Sequence, residues 1–331
     1  PRREAVDGPV VYFVDHFFRD HELIGRLPME KGDQLHFVDS SSEPEVTRID
    51  AFKEAVSADS RTPCCVVGIG GGNALDTAKA VANLLTNPGK AEDYQGWELV
   101  KNPAVYKIGI PTLSGTGSEC SRTCVLTNIP KNLKLGMNSD YTVYDQLLLD
   151  PDLLATVPRD QYFYTGIDTF MHCVESLQGS YRNAIIDAFS VRAVQLCEEI
   201  FLSDDMMSED NREKMMIASY IGGMAAGNVG VIHPFSAGLG VVLHVAHGLG
   251  NCLALNVLGD IYPKEYTQFR TMIERQGVNL PTGICKDLTE EQYEGLYRGC
   301  IVHEKPLTNA LGPDFKQILT RENLIERYKS I

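Results

Sequence analysis

The sequence predicts an α/β nucleotide-binding domain of Rossmann-like type over residues 1–157, followed by an all-helical domain over 158–331. Three observations carry that expectation. Short apolar strands alternate with helical stretches up to about residue 150, the spacing of a parallel sheet with helices on both faces. A strand, a glycine turn and a helix start follow one another between residues 64 and 79. Beyond Pro158 only helical periodicity remains.

In the first part, residues 9–14 read as a strand ending at Asp15. Residues 17–27 read as a helix, 34–38 as a second strand closed by Asp39, 40–44 as loop and 46–57 as a helix. Residues 64–69 form the third strand. Gly70-Gly71-Gly72 follows without a break, with Asn73 placed to cap a helix running to about residue 85. Residues 107–110, 133–137 and 143–149 complete the strands. In the second part helices are expected at 162–177, 185–201, 209–226, 247–258, 266–276, 290–303 and 321–329, with the join near 150–158, where two prolines punctuate the chain.

A chain of 331 residues has room for two domains. Its 44% hydrophobic and 22% charged content is that of a globular protein. The net charge of −14, without any basic cluster, argues against nucleic acid or an anionic membrane surface as a partner. No apolar run reaches membrane-spanning length, and no secretory h-region follows the N-terminus, so a cytoplasmic location is expected. The nine cysteines include no C-x-x-C pair and read as small buried residues in a reducing compartment.

Two stretches carry chemistry. Strand, glycines and helix start form a phosphate cradle: glycine lets the backbone approach the anion, and the helix's unpaired N–H groups face it. The turn has neither the G-x-G-x-x-G spacing nor the P-loop Lys-Ser/Thr, so a plain tight crossover stays open. In the helical part, Asp168 and His172 are four apart and share one helix face. His233 and His247 bracket a glycine-rich stretch. A carboxylate with imidazoles suits a divalent first-row metal, although an Asp/His pair at this spacing is also a common surface or capping pair, and each later histidine could simply end a helix.

Together these residues resemble the iron-containing (group III) alcohol dehydrogenase family, which includes glycerol dehydrogenase and, more distantly, dehydroquinate synthase. The matching segments are Gly70–Asp76, Pro111–Glu119 and Gly166–Glu175, with a later His233 and His247-Gly248. The resemblance implies the dehydroquinate synthase-like fold and places Asp168, His172, His233 and His247 as ligands of Fe²⁺ or Zn²⁺. It implies NAD(H) binding through Gly71, Gly72 and Asn73 at the pyrophosphate and through Thr112, Leu113, Ser114 and Thr116 along the nucleotide. Lys134 would lie near the ribose, and Asp15 would favour NAD over NADP. A metal-polarised alcohol would give hydride to the nicotinamide.

The chain departs from the family where His-Ala-x-Ala-His becomes His233-Pro234-Phe235-Ser236-Ala237, and His244 is the candidate replacement for the missing relay histidine. Within the family the chain looks most like the branch that oxidises the 8-hydroxyl of the sugar acid Kdo to an aldehyde for an aminotransferase in lipopolysaccharide synthesis. A small polyol dehydrogenase, an oxidase using the same fold, a dehydroquinate synthase-like lyase and a non-catalytic binding protein are the alternatives. Arg122 and Arg182 are candidates for meeting an anionic sugar. A homodimer paired through N-terminal edge strands is also expected from the resemblance.

Overall fold

The computed structural model describes residues 7–331. The chain folds into two compact units. One runs through Leu113 and resumes at Ser118–Leu153; the other comprises Ser114–Gly117 and Leu154–Ile331.

The first unit is built on a five-stranded parallel sheet. In chain order its elements begin with β1 (Val10–Asp15), α1 (Glu22–Arg26), β2 (Gln34–Val38), α2 (Val46–Ser57), β3 (Cys65–Gly70) and α3 (Gly72–Leu84). They continue with β4 (Gly96–Trp97), β5 (Lys107–Pro111), β6 (Thr123–Asn128), β7 (Leu133–Asn138) and β8 (Gln146–Leu147). The main sheet has the order β2-β1-β3-β5-β8. Alternate residues of β1 and β3 enter two different cores. Val11, Phe13 and Val66 pack with the alanine-rich face of α3, while Tyr12, Val14, Val67 and Ile69 pack on the opposite side with Phe18. Burial on both faces explains the near-continuous apolar strands.

The order places a topological switch between β1 and β3, whose carboxyl ends therefore flank a crevice. Register brings Val14 opposite Ile69, so Asp15 and Gly70 leave the sheet side by side.

Several sequence expectations need correction. The helix expected over 17–27 is a 3-10 turn at His16–Phe18, capped by Asp15, and then the five-residue α1. Residues 133–137 do form a strand, but outside the parallel sheet: β7 pairs antiparallel with β6 and parallel with β4. The strand expected over 143–149 pairs with β5 only at Gln146 and Leu147. Just before it, Tyr144 turns inward to donate to the carbonyl of Leu75 at 2.8 Å.

The second unit is helical throughout its described residues: α4 (Arg159–Gln178), α5 (Ala184–Phe201), α6 (Glu209–Gly223), α7 (Ile232–Leu243), α8 (His247–Val257) and α9 (Pro263–Gln276). It ends with α10 (Glu290–Ile301), α11 (Glu304–Leu311), α12 (Phe315–Ile318) and α13 (Arg321–Lys329). Helix α4 is buried along most of its length, with Phe163, Ile167, Phe170 and Met171 at 0% exposure, as expected of a helix at the centre of its unit.

Helix α7 lies outside the expected helices, across the glycine-rich stretch that includes Gly238 and Gly240. The structure uses Gly238 for close packing. A Cβ there would lie 2.7 Å from the Leu296 carbonyl oxygen on α10, and Gly299 approaches the same spot from the facing helix. No helix among the described residues is long and apolar enough to cross a membrane. None of the nine cysteines forms a disulfide, and eight are buried.

Candidate metal centre and dinucleotide cradle

Three helices converge on Asp168. Helix α4 supplies Asp168, His172 and Glu175, spaced to share one face and exposed by 0%, 4% and 1%. His233 is the second residue of α7, and His247 opens α8. Pro234 is tolerated beside His233 because it falls in the first helical turn, where its missing N–H has no intrahelical partner.

The four residues assigned to the metal by resemblance lie together. His233 Nε2 is 3.1 Å from Asp168 Oδ1, His172 Nε2 is 3.8 Å from the same oxygen, and His247 Nε2 is 3.5 Å from Oδ2. Candidate ligand atoms of Asp168, His233 and His247 all lie within 4.8 Å of one another. The His172 and His233 rings stack with centroids 4.4 Å apart. Asp168 Oδ2 is buried and accepts no hydrogen bond from the described residues. A buried carboxylate with one undonated oxygen, facing three imidazoles, fits a divalent first-row cation.

Glu175 is the neighbour that sequence reasoning left without a role. Its Oε2 pairs with His233 Nδ1, and its Oε1 accepts from the Ile232 N–H at 2.6 Å and the Tyr262 hydroxyl at 3.3 Å. The carboxylate thereby caps the start of α7 and turns His233 Nε2 toward Asp168. Asn251, one helical turn beyond His247, was also missed; its amide lies 2.6 Å from Asp168 Oδ1. The signal for both was spacing: Glu175 is seven residues after Asp168, and Asn251 four after His247.

Charge follows from this arrangement. Burial would raise Asp168, but His172, His247 and His233 outweigh it and hold the carboxyl well below the usual carboxylate range. Burial pushes His172 down to about 4. His233 goes the other way: burial would lower it, but the Glu175 charge, with hydrogen bonds to Asp168 and Glu175, raises it to about 9.

These shifts give a pH prediction for the metal-free protein. The stabilisation from His233 is complete below its ordinary pKa near 6.5 and is lost as pH rises through about 9. That from Asp168 is present above about 4 and is lost as pH falls further, while His172 costs stability as pH falls from about 6.5 toward 4. Melting temperature in chelator should therefore peak near neutrality and decline toward pH 9. A flat profile between pH 6.5 and 9 would contradict the assignment of His233.

His244 stands apart from this cluster in its bonding. It is exposed, caps α7 in a left-handed conformation (φ 55°), and its ring has no hydrogen bond among the described residues. Ala237, where the resemblance would place the relay histidine, is buried.

In the first unit, Gly71 caps α3 and Gly72 opens it. Asn73 therefore lies inside the helix and does not cap it; its side chain donates to the Ser42 carbonyl. Gly70 has a φ of +152°, and a Cβ there would lie 2.6 Å from the Ala74 Cβ and 2.9 Å from the Asp15 Cβ. Glycine is therefore required at this turn, both by its backbone conformation and by the close approach of Ala74 and Asp15. Gly70→Ala should cost about 2 kcal/mol of stability, read from urea unfolding, and weaken NADH binding at least about tenfold. Unchanged NADH binding would argue for a plain crossover.

The half-buried Asp15 accepts from Ser40 Oγ at 2.8 Å, and Lys134 pairs with Glu43 at 2.8 Å. With Asn73, these contacts tether the loop after β2 to three side chains assigned to the dinucleotide by resemblance. The Thr112 N–H donates to the Gly70 carbonyl at 3.0 Å, and Leu113 follows it. Ser114 is buried, while Gly115 donates to Ser219 Oγ and accepts from Thr169 Oγ1, so Ser114 and Thr116 belong to a segment that is part of the helical unit. Arg122 and Arg182 are held by carboxylates, the first by Glu98 and Asp140, the second by Asp187.

Residues 18–151 match the iron-containing alcohol dehydrogenase family, and residues 162–294 match the C-terminal part of the Fe-containing alcohol dehydrogenase family. The chain is 38% identical to a sulfoacetaldehyde reductase of Bilophila wadsworthia over 190 residues, 56% of this chain and 49% of that protein. It is 33% identical over 190 residues to an NAD-dependent methanol dehydrogenase of Bacillus methanolicus, covering 56% and 50% of the two chains. It thus spans about half the length of these curated relatives. Among solved structures, a sulfoacetaldehyde reductase from Bifidobacterium kashiwanohense in complex with NAD⁺ superposes with a TM-score of 0.79 at 25% identity, covering 98% of this chain and 92% of that one. An alcohol dehydrogenase from Oenococcus oeni shares the fold with a TM-score of 0.83 at 21% identity, covering 99% and 94%. The parallel sheet, the helical second unit and these matches agree: the chain belongs to the iron-containing alcohol dehydrogenase family.

Proposed function

We propose that the chain is a metal-dependent, NAD-linked oxidoreductase interconverting a primary alcohol and its aldehyde, with the 8-hydroxyl of the sugar acid Kdo as the alcohol. The observation that carries the reaction class is Asp168 among three imidazoles, with one buried carboxylate oxygen left without a donor.

In this reading Asp168, His172, His233 and His247 hold Fe²⁺ or Zn²⁺. Bound there, the metal supplies Lewis acidity toward the substrate oxygen, and a bound nicotinamide supplies the hydride acceptor. Glu175 fixes the His233 ring. Gly71, Gly72 and the first turn of α3 bind the pyrophosphate, with Thr112, Leu113, Ser114 and Thr116 along the nucleotide and Lys134 at the ribose. Asp15 accepts from ribose hydroxyls and repels a 2′-phosphate, which favours NAD over NADP. His244, exposed near the start of α8, carries the proton to solvent. The same reading includes a homodimer and an aminotransferase that consumes the aldehyde.

The sulfoacetaldehyde reductases among the relatives favour a second substrate, a small sulfonated aldehyde. Both candidates are anionic, and Arg122 and Arg182 would have to meet the anion alongside their carboxylate partners.

The test is absorbance at the reduced-nicotinamide band. Fe²⁺- or Zn²⁺-loaded protein is mixed with NAD and Kdo or 1,3-propanediol, and with NADH and sulfoacetaldehyde, while peroxide is followed in parallel. NADH from Kdo is the expected result. Turnover of sulfoacetaldehyde or the diol without Kdo would remove the sugar-acid assignment and keep the reaction class. Peroxide without NADH would replace the dehydrogenase with an iron oxidase.

A further inference from the structure

We propose that Asn251 is a positioning residue of the metal centre: its amide selects which oxygen of Asp168 meets the cation. The inference rests on the metal reading of Asp168 and the three histidines, and concerns a residue outside that ligand set.

Asn251 lies on α8 with 0% exposure, one helical turn after His247 and on the same face. Its Nδ2 is 2.6 Å from Asp168 Oδ1, 3.3 Å from His247 Nε2 and 3.4 Å from His233 Nε2. One amide thus touches three of the four residues assigned to the ion. A carboxylate only accepts hydrogen bonds, so the amide must present its NH₂ group to Asp168. That choice leaves the amide oxygen buried and without a hydrogen bond, a cost with no return from neighbouring groups.

The consequence falls on Asp168. Its Oδ1 takes the short amide contact, while Oδ2 is buried, undonated and 3.5 Å from His247 Nε2. The carboxylate is therefore held with Oδ2 ready for the cation. The donated hydrogen bond, shorter than the 3.1 Å contact of His233 Nε2 with the same oxygen, also fixes the rotation of the carboxyl group. Residues that hold ligands in this way commonly govern affinity almost as strongly as the ligands.

The test uses the full chain stripped with chelator and titrated with Co²⁺ alone, reading affinity and the ligand-field absorption band. Asn251→Leu keeps the shape and removes the N–H group; Asn251→Ala removes both. Both variants should bind Co²⁺ about 10–100-fold more weakly than the unaltered chain and shift its band. Wild-type affinity and spectrum in Asn251→Leu, with a loss only in Asn251→Ala, would reduce the residue to packing and overturn the proposal.

A second measurement needs no variant. In protein labelled with ¹⁵N-asparagine, one exchange-protected side-chain NH₂ pair should shift on addition of Zn²⁺. If no asparagine NH₂ pair responds although Zn²⁺ binds, the proposal falls while the metal reading stands. If the unaltered chain takes up neither Co²⁺ nor Zn²⁺, both fall.

Discussion

Replacing Asp168 by alanine is expected to lower Fe²⁺ or Zn²⁺ affinity by at least about 100-fold and to remove turnover with it. The expected loss is this large because every other member of the centre is arranged around this one carboxylate. It is fully buried, receives the Asn251 amide at 2.6 Å and has three imidazole nitrogens within 3.8 Å. Without it, His233 keeps only Glu175 as a counter-charge and the Asn251 amide loses its acceptor. The metal-free variant should therefore also lose about 3 kcal/mol of stability, the cost of leaving buried partners uncompensated. Equilibrium dialysis of the metal and urea unfolding in chelator read the two effects separately. A variant that binds metal normally would show that the four residues are a structural polar cluster.

Lys79→Met should destabilise the chain by about 4 kcal/mol. Lys79 is fully buried on α3, and its ammonium donates to the carbonyls of Ser118, Ser121 and Thr123 at 2.7, 2.9 and 2.7 Å. Next to it, Asp76 accepts from the Ser118 hydroxyl and from the Val125 N–H at 2.8 Å. Burial raises the pKa of Asp76, and Lys79 is the charge that most opposes it. The pair fastens residues 118–125 to the helix that follows the glycine turn. Methionine retains the length and removes the charge and all three donors. Three carbonyls then lose their donor, and Asp76 must become neutral or stay as an isolated buried charge. Urea unfolding measures the difference. A loss under about 1 kcal/mol would mean that water or a rearranged loop replaces the ammonium.

What was legible in the sequence divides along physical lines. The buried parallel strands were visible because both their faces are apolar, and most of the long helices because their periodicity is strong. Helix α7 was hidden because a glycine used for helix-to-helix approach has the same letter as a glycine that breaks a helix; Leu296 and Gly299 on α10 decide the matter. Asn73 is a good capping residue by type, but Gly71 takes the cap position two residues earlier, Gly72 opens the helix, and the Ser42 carbonyl takes the Asn73 amide. Strand β6 (Thr123–Asn128) depends on pairing with β7, a contact between segments that no local pattern announces.

In the site, Asp168 and His172 could be paired from spacing alone, whereas His233 and His247, which lie at the starts of two other helices, could be listed as candidates from the sequence but were joined to the pair only by the family resemblance. Glu175 and Asn251 stayed silent because their roles are hydrogen bonds to ligands, and such roles leave only a helical offset in the sequence. Arg122 and Arg182, the candidates for an anionic substrate, each have carboxylate partners that the sequence does not announce. Their carboxylate partners, Asp140 with Glu98 and Asp187, lie 18, 24 and 5 residues away.

X-ray absorption at the metal edge of Fe²⁺- or Zn²⁺-loaded protein shows whether Asp168, His172, His233 and His247 hold one metal ion. One ion per chain is expected, with three imidazole nitrogens and a carboxylate oxygen at about 2.0–2.2 Å and the signal lost in Asp168→Ala. Substoichiometric uptake, or a first shell containing sulfur from the buried cysteines, would contradict it.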